Sequence, residues 1–196
     1  AEPSLAAREA TATEAKEHIA AAALDLIPRG LGGAVHIDAG STAARVARLL
    51  AAREDGNASL TLITNSVITA STLSHLTTPA VRVIGGRLRA VTGALVGAGA
   101  IDQIAGLRPD VAIIGTNAVN ARFGLSTPDE AEAEVKRAAV ASARRVIVVA
   151  DASKLGEESL VRFGGLDDID ALVTDGEPDA DLSAALRAAD VDLVRA

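Results

Sequence analysis

The chain has 196 residues, a formal net charge of -7 at pH 7, and neither cysteine nor methionine. Its length suits a single domain with a sizeable core. The acidic balance and the lack of a lysine or arginine run exclude a chain that itself grips nucleic acid through phosphates. The absence of cysteine excludes disulfides, thiol nucleophiles and thiolate metal sites.

No apolar stretch is long enough to span a bilayer, and the chain does not begin with a signal-peptide pattern. We therefore expect a cytoplasmic protein. The missing initiator methionine indicates a processed or excised piece of a longer product.

The alanine-rich segment 5–27 is predicted to be a helix, because Ile19, Ala23 and Ile27 fall on one helical face. Proline and glycine end it between residues 28 and 33. A polar turn is predicted at 54–57. The other predicted helices cover residues 42–53, a segment ending near 76, the second half of 90–107, and residues 128–144 and 181–189.

Short runs rich in valine, isoleucine and leucine alternate with these helices. The predicted strands are 34–38, 60–63, 81–84, 111–114, 146–149, 171–173 and 191–194. This alternation is typical of a mostly parallel sheet covered by helices on both faces. With no repeat and no obvious linker, residues 1–196 are predicted to form one α/β domain.

The segment 35–42 is predicted to be a phosphate-binding corner. An apolar strand stops at Asp38, and Gly40, Ser41 and Thr42 lead into the next helix. Backbone N–H groups without a hydrogen-bond partner, and the hydroxyls, would then lie together at the positive end of the helix, where an anion is favoured. The alternative is that Asp38 and Ser41 merely cap the helix.

Five polar loops directly follow predicted strands, and a parallel sheet would place them along its carboxyl edge. These loops are 38–42, 64–66, 85–89, 115–120 and 151–154. Open α/β sheets bind ligands at that edge, although the same residue types also make ordinary turns. The opposite connections contain Pro28, Pro79 and Pro109 without matching polar clusters, which favours a small-molecule site.

The ligand predicted for this edge is anionic and hydroxylated. Positive charge is offered by Arg87, Arg89, Lys136 and Lys154, and sugar hydroxyls could pair with Asp38, Asn65, Asn117 and Asp151. Alternatively, the basic residues are solvated surface charges, and Lys136 is a helical partner of Glu132. The histidines lack metal-ligand spacing, and no dinucleotide fingerprint is complete, so we expect neither a metal nor a cofactor.

Five motifs in register resemble the effector-sensing domain of DeoR-family transcriptional regulators. They are 38–42, 64–66, 85–87, 124–129 with 135–137, and 151–154. The resemblance implies a fold related to ribose-5-phosphate isomerase and CoA transferases, a phosphorylated sugar effector, and a homo-oligomer, either dimer or tetramer. It also implies a winged helix-turn-helix DNA-binding domain upstream, absent from this chain.

The resemblance leaves a sugar-phosphate isomerase as the alternative function. In such isomerases a Gly-Ala-Asp-Glu-x-Asp loop supplies carboxylates, whereas this chain has Asn117, Ala118 and Asn120 in that frame. Since an amide cannot accept a proton as a carboxylate does, we expect a sensor rather than an enzyme. The 115–117 loop together with 124–129 resembles regulators of fructose uptake and metabolism, so fructose 1-phosphate and fructose 6-phosphate are the first candidate effectors.

By hypothesis, the loops 38–42 and 64–66 hold the phosphate, Arg87 and Lys154 neutralise it, and Asn117 and Asp151 bind hydroxyls. The full set of expected ligand-binding residues is Asp38, Gly40, Ser41, Thr42, Thr64, Asn65, Ser66, Gly85, Gly86, Arg87, Thr116, Asn117, Glu132, Lys136, Asp151 and Lys154.

Overall fold

Helices and strands alternate along the computed structural model, which describes Ser4, Ala7 and residues 10–53 and 59–196. The helices are α1 (Thr13–Asp25), α2 (Ser41–Ala51), α3 (Val67–Leu73), α4 (Ala98–Ala105), α5 (Glu130–Ser142) and α6 (Ala180–Ala188). The strands are β1 (Ala34–Ile37), β2 (Thr61–Thr64), β3 (Ala80–Val83), β4 (Arg87–Arg89), β5 (Ala94–Val96), β6 (Val111–Gly115), β7 (Ala118–Asn120), β8 (Gly124–Thr127), β9 (Arg145–Val149), β10 (Val161–Gly164), β11 (Ala171–Thr174) and β12 (Asp192–Arg195). Single 3-10 turns occur at Ala152–Lys154 and Leu166–Asp168.

The predicted α/β fold with a parallel sheet and helices on both faces is confirmed. Seven strands pair in parallel in the order β12-β11-β9-β6-β1-β2-β3. Each of them overlaps one of the seven strands predicted from the apolar runs. Because every strand is parallel, the loops that leave their carboxyl ends lie along one edge of the sheet.

Two buried clusters cover the two faces of this sheet. On one face of the sheet, Ile19 of α1 and Val46 of α2 pack against the buried side chains that the central strands present on that face. On the other face, Ile104 of α4, Val135 of α5 and Leu186 of α6 do the same. Both faces of the five inner strands are therefore apolar, which explains their nearly continuous apolar sequences, whereas the edge strands β3 and β12 are largely exposed.

Two small antiparallel sheets were not predicted. Strands β4 and β5 form a hairpin within the segment 85–107, which was predicted as loop and helix. Strands β7, β8 and β10 form a three-stranded sheet, and β10 lies in the stretch before residue 165 that showed no regular pattern. These strands are three or four residues long, too short for a period to show in the sequence.

The first predicted helix is not continuous. Ala7 is helical, but Ala12 has φ 52 and ψ 41, a left-handed conformation, so the predicted helix is interrupted there and α1 begins at Thr13. The predicted helical residues 5, 6, 8 and 9 and the predicted turn at 54–57 lie outside the described residues. No helix in the described part of the chain is long and apolar enough to cross a membrane.

Candidate ligand-binding site

A pocket of about 390 Å³ opens at the point where the direction of strand order reverses. From β1 the chain continues outward to β2 and β3, whereas β6, β9 and β11 build the sheet in the other direction. The crevice between β1 and β6 is therefore a topological switch point, where open α/β sheets bind ligands. The lining residues are 39–43, 115–117, 149–154, Asp175, Glu132, Lys136, Ala7, Thr11, Ala12 and Lys16.

The floor of the pocket is a buried ion pair between Asp38 and Lys136. Asp38 and Lys136 are 1% and 4% exposed, and the Lys136 ammonium donates to Asp38 Oδ2 and to Gly115 O, the latter at 2.9 Å. Gly115 N also donates to Asp38 Oδ2, at 3.0 Å, which joins the ends of β1 and β6. Because an ammonium has three N–H donors, Lys136 keeps one for a ligand in the pocket.

No side chain caps the N-terminus of α2, which forms another wall of the pocket. By contrast, Ser66, Asp129 and Asp179 cap α3, α5 and α6. The alternative in which Asp38 or Ser41 caps α2 is therefore wrong. The first N–H groups of a helix have no partner within the helix and carry its positive dipole end, so this wall favours an anion.

Glu132 lines the pocket, and its negative charge is paired with Arg89, which is not part of the lining. Its Oε1 accepts hydrogen bonds from Thr92 Oγ1 and from Arg89 Nη1, the latter at 3.0 Å. Arg89 also pairs with Asp129 Oδ2 at 3.0 Å. Arg89 therefore joins the β4–β5 hairpin to the start of α5.

The lining also contains an amide, a carboxylate and a further lysine. Asn117 Oδ1 accepts from Thr127 Oγ1 at 2.9 Å, which fixes the orientation of the amide. Asp151 accepts from Ser153 N at 3.1 Å. Within the described residues, the partly buried Lys154 makes no side-chain hydrogen bond or ion pair.

A family model, described as the DeoR C terminal sensor domain, matches residues 11–176 of the chain. The chain belongs to the DeoR C-terminal sensor domain family. The fold and the family expected from the five motifs are thus confirmed.

Similar curated proteins are transcriptional regulators. The chain is 38% identical over 187 residues to the HTH-type transcriptional regulator GlpR of Haloferax volcanii, covering 95% of this chain and 71% of the regulator. It is 33% identical over 171 residues to the glycerol-3-phosphate regulon repressor of Escherichia coli, covering 87% of this chain and 66% of the repressor. It is 30% identical over 176 residues to a Bacillus subtilis regulator named FruR, covering 90% and 67%. The chain thus spans about two thirds of the length of these relatives.

Among solved structures, the sensor domain resembles ribose 5-phosphate isomerase A of Methanocaldococcus jannaschii, with a TM-score of 0.51 and 19% identity. The likeness covers 73% of this chain and 54% of the isomerase. At this identity it shows that the two proteins share a fold.

The structure brings nine of the expected ligand-binding residues into the lining of the sensor domain pocket. They are Gly40, Ser41, Thr42, Thr116, Asn117, Glu132, Lys136, Asp151 and Lys154. Asp38 lies directly beneath them through its pair with Lys136. The alternatives for Lys136, a solvated charge or a partner of Glu132, are wrong, since it is buried and paired with Asp38.

The other expected residues lie outside the pocket lining, after β2 and β3. Thr64 Oγ1 accepts from Ser66 N at 3.1 Å, and Ser66 Oγ caps α3. Asn65 donates to Leu95 O at 3.4 Å, while its buried Oδ1 has no partner among the described residues. Gly85, Gly86 and Arg87 lead into the hairpin, and a Cβ built on Gly86 would lie 2.7 Å from Val96 O. A ligand role for these residues stays a prediction.

Lys16 and Asp175 are among the polar residues of the pocket that were missed by sequence reasoning. Lys16 is 5% exposed and lies on the same helical face as Ile19 and Ala23, so a lysine within an apolar stripe was the available signal. Asp175 follows β11 and accepts from Ala152 N at 2.8 Å. Its position just after a predicted strand was the signal available in the sequence.

His36 packs beneath the floor of the pocket and is not a proton donor at neutral pH. Burial lowers its pKa from 6.5 to about 4; Asp38 opposes this effect, and the Lys136 charge adds to it. The expectation that this histidine is packed rather than catalytic agrees with its complete burial in β1.

Proposed function

We propose that this sensor domain binds a phosphorylated sugar or polyol in the switch-point pocket. The supporting observation is that all three lysines of the chain, Lys16, Lys136 and Lys154, line this one cavity although the chain is acidic overall. Collected positive charge in a cleft raises the local concentration of anions. The pocket volume also falls in the range of small-molecule sites.

The phosphate group fits best against the uncapped start of α2. There the N–H groups that follow Gly40 and the hydroxyls of Ser41 and Thr42 lie together in the lining. Lys154, which has no charge partner among the described residues, supplies the countercharge. On the other side, Asn117 and Asp151 offer an amide and a carboxylate for sugar hydroxyls.

Fructose 1-phosphate and fructose 6-phosphate remain candidate effectors on the resemblance of the 115–117 and 124–129 loops to fructose regulators. The similarity to a glycerol-3-phosphate regulon repressor adds glycerol 3-phosphate to the candidates. All three ligands carry one phosphate and vicinal hydroxyls, the two features for which the pocket has partners.

The hydrogen bonds made by Asn117 and Asn120 argue against the isomerase alternative. Asn120 Oδ1 accepts from Arg122 N and Phe123 N at 2.9 and 3.0 Å, so this residue stabilises the turn between β7 and β8. Asn117 is held by Thr127. Neither amide can act as the general base that moves a proton between sugar carbons.

We further propose that ligand occupancy changes how an attached helix-turn-helix domain sits on its operator. Two relatives are named an HTH-type transcriptional regulator and an HTH-type transcriptional repressor, and the match covers 71% and 69% of their lengths, which leaves nearly a third of each outside it. The free energy available for regulation equals the difference in ligand affinity between the two arrangements. A homo-oligomer stays part of this proposal.

The proposal is tested by titrating each sugar phosphate and its free sugar calorimetrically into the chain and into the Lys154→Ala variant. Loss of a charged hydrogen bond should weaken phosphate binding by about tenfold to a hundredfold, while free-sugar binding stays unchanged. Arg187→Ala, an exposed change on α6, is the matched control for lost positive charge. Equal losses for phosphate and free sugar would refute the role of Lys154.

A further inference from the structure

The chain enters the sensor domain along one wall of the ligand pocket. Residues 10–12 form a turn that we name the entry bend, and α1 begins directly after it at Thr13. Thr11, Ala12 and Lys16 line the cavity together with the start of α2 and the loop after β6. Anything that fills the pocket therefore lies against the entry bend.

Within the described residues, the entry bend is held by hydrogen bonds of Lys16 and of Thr11, whose Oγ1 donates to Ala7 O at 2.9 Å. Ala12 adopts φ 52, which is unfavourable for a residue with a Cβ, and no side chain caps α1. Lys16 N donates to Ala12 O at 3.0 Å, and Lys16 Nζ donates to Thr11 O at 2.7 Å. The same ammonium that faces the pocket thus fixes the shape of the bend.

Helix α1 itself is fastened to the sheet and to α2. Ile19 is fully buried, Glu17 pairs with Arg45 at 2.8 Å, and Arg145 Nη1 donates to Leu26 O at 3.1 Å. Residues 10–12 of the entry bend are exposed and pack less closely than α1 against the described part of the chain. A change at the pocket can therefore move the bend while α1 stays in place.

We propose that a bound anion held by Lys16 fixes the entry bend, and thereby sets the direction in which the preceding chain leaves the sensor domain. The anion bridges Lys16 and the start of α2. An ammonium that holds an anion in addition to its existing partners, which include Thr11 O, has less freedom than the same ammonium without the anion. This inference rests on the proposed function, because it needs an anionic ligand in the pocket.

The test is amide hydrogen exchange of the chain with and without saturating glycerol 3-phosphate, fructose 1-phosphate, fructose 6-phosphate or inorganic phosphate, with binding measured in parallel by calorimetry. Amides of residues 10–16 should exchange about tenfold more slowly with ligand, while those of β11 stay unchanged. Lys16→Met keeps the apolar stem and should lose this slowing even at saturating ligand. Lys16→Arg keeps the charge and should restore part of it.

Lys154→Met is the matched control, since it removes a pocket lysine that does not touch the bend. It should weaken binding but retain the slowing at saturation. If the unmodified chain binds none of these anions, the proposed function fails and the inference fails with it. If an anion binds but leaves residues 10–16 unchanged, or slows them equally in Lys16→Met, the inference alone is overturned.

Discussion

Lys136 and Lys154 both line the pocket, but substituting them has different consequences for stability and binding. Lys136 neutralises the buried Asp38, and removing one partner of such a pair costs about 3–5 kcal/mol because the other charge stays buried and unpaired. Lys154 is partly exposed and has no pair among the described residues. Substitution of Lys136 therefore alters folding and binding together, whereas substitution of Lys154 reports on binding.

His36 is expected to make the sensor domain less stable in acid. Its folded pKa of about 4 lies below the ordinary value of 6.5 because the ring is buried. Above 6.5 neither state binds a proton, so the stability is fully present. As the pH falls from 6.5 to about 4, the unfolded chain takes up a proton that the folded chain refuses, and the free energy of unfolding drops by about 3 kcal/mol.

Urea unfolding of the chain and of His36→Leu at pH values across this window measures that contribution. Leucine cannot titrate, so the variant should lose less stability on acidification than the unmodified chain. The carboxylates titrate in both proteins, so their contribution cancels in the difference. A parallel decline in the two proteins would contradict the burial effect on His36.

At the scale of elements, the strands of the main sheet were predictable and the hairpins were not. Seven apolar runs mark the seven parallel strands, and the five inner strands are buried on both faces. The β4–β5 hairpin contains the exposed Arg87 and Leu88, and its contact with Glu132 through Arg89 joins residues 43 positions apart. Such long-range contacts leave no local pattern in the sequence.

The sequence predicted which loops could contribute to the candidate site, but not which of these loops lie next to each other. The sequence identified the loops that leave the carboxyl ends of strands, including 38–42 and 115–120. It did not reveal the strand order, which places β2 and β3 on the far side of β1 from β6. For that reason the loops 64–66 and 85–87 were grouped with the pocket, although they lie outside its lining.

Gly124, at the start of β8, is expected to tolerate no side chain. It has φ +79, and a Cβ there would lie 2.4 Å from Gly164 O across the β8–β10 pair. Strain and overpacking together should make Gly124→Ala about 2–4 kcal/mol less stable in urea unfolding.

Gly99→Ala in α4 is the matched control for this glycine substitution. A Cβ on Gly99 meets nothing within 4 Å, and alanine in a helix is favoured over glycine by roughly 0.5–1 kcal/mol. The control should therefore be neutral or more stable. If Gly124→Ala lost no more stability than Gly99→Ala, the backbone around β8 would have adjusted to the added methyl group, which would contradict this prediction.

At the scale of the whole molecule, the arrangement of the sheet joins a ligand pocket to the point where the chain enters. The switch point between β1 and β6 creates the cavity, and α1 brings Lys16 and the entry bend to its rim. The pocket lining offers lysines, hydroxyls and an amide, and by the resemblance that we infer from the sequence Asn117 and Asn120 take the places of isomerase carboxylates. This combination is what a sensor needs, since it must bind its ligand without converting it.

The most direct measurement is a calorimetric titration of the chain with fructose 1-phosphate, fructose 6-phosphate and glycerol 3-phosphate, each matched to its unphosphorylated counterpart, with the same mixtures assayed for isomerised product. We predict saturable binding of at least one phosphate, much weaker binding of its counterpart, and no product. Equal affinity for a phosphate and its counterpart would contradict an anion site in the pocket. Turnover would contradict the sensor account and require a general base other than Asn117 or Asn120.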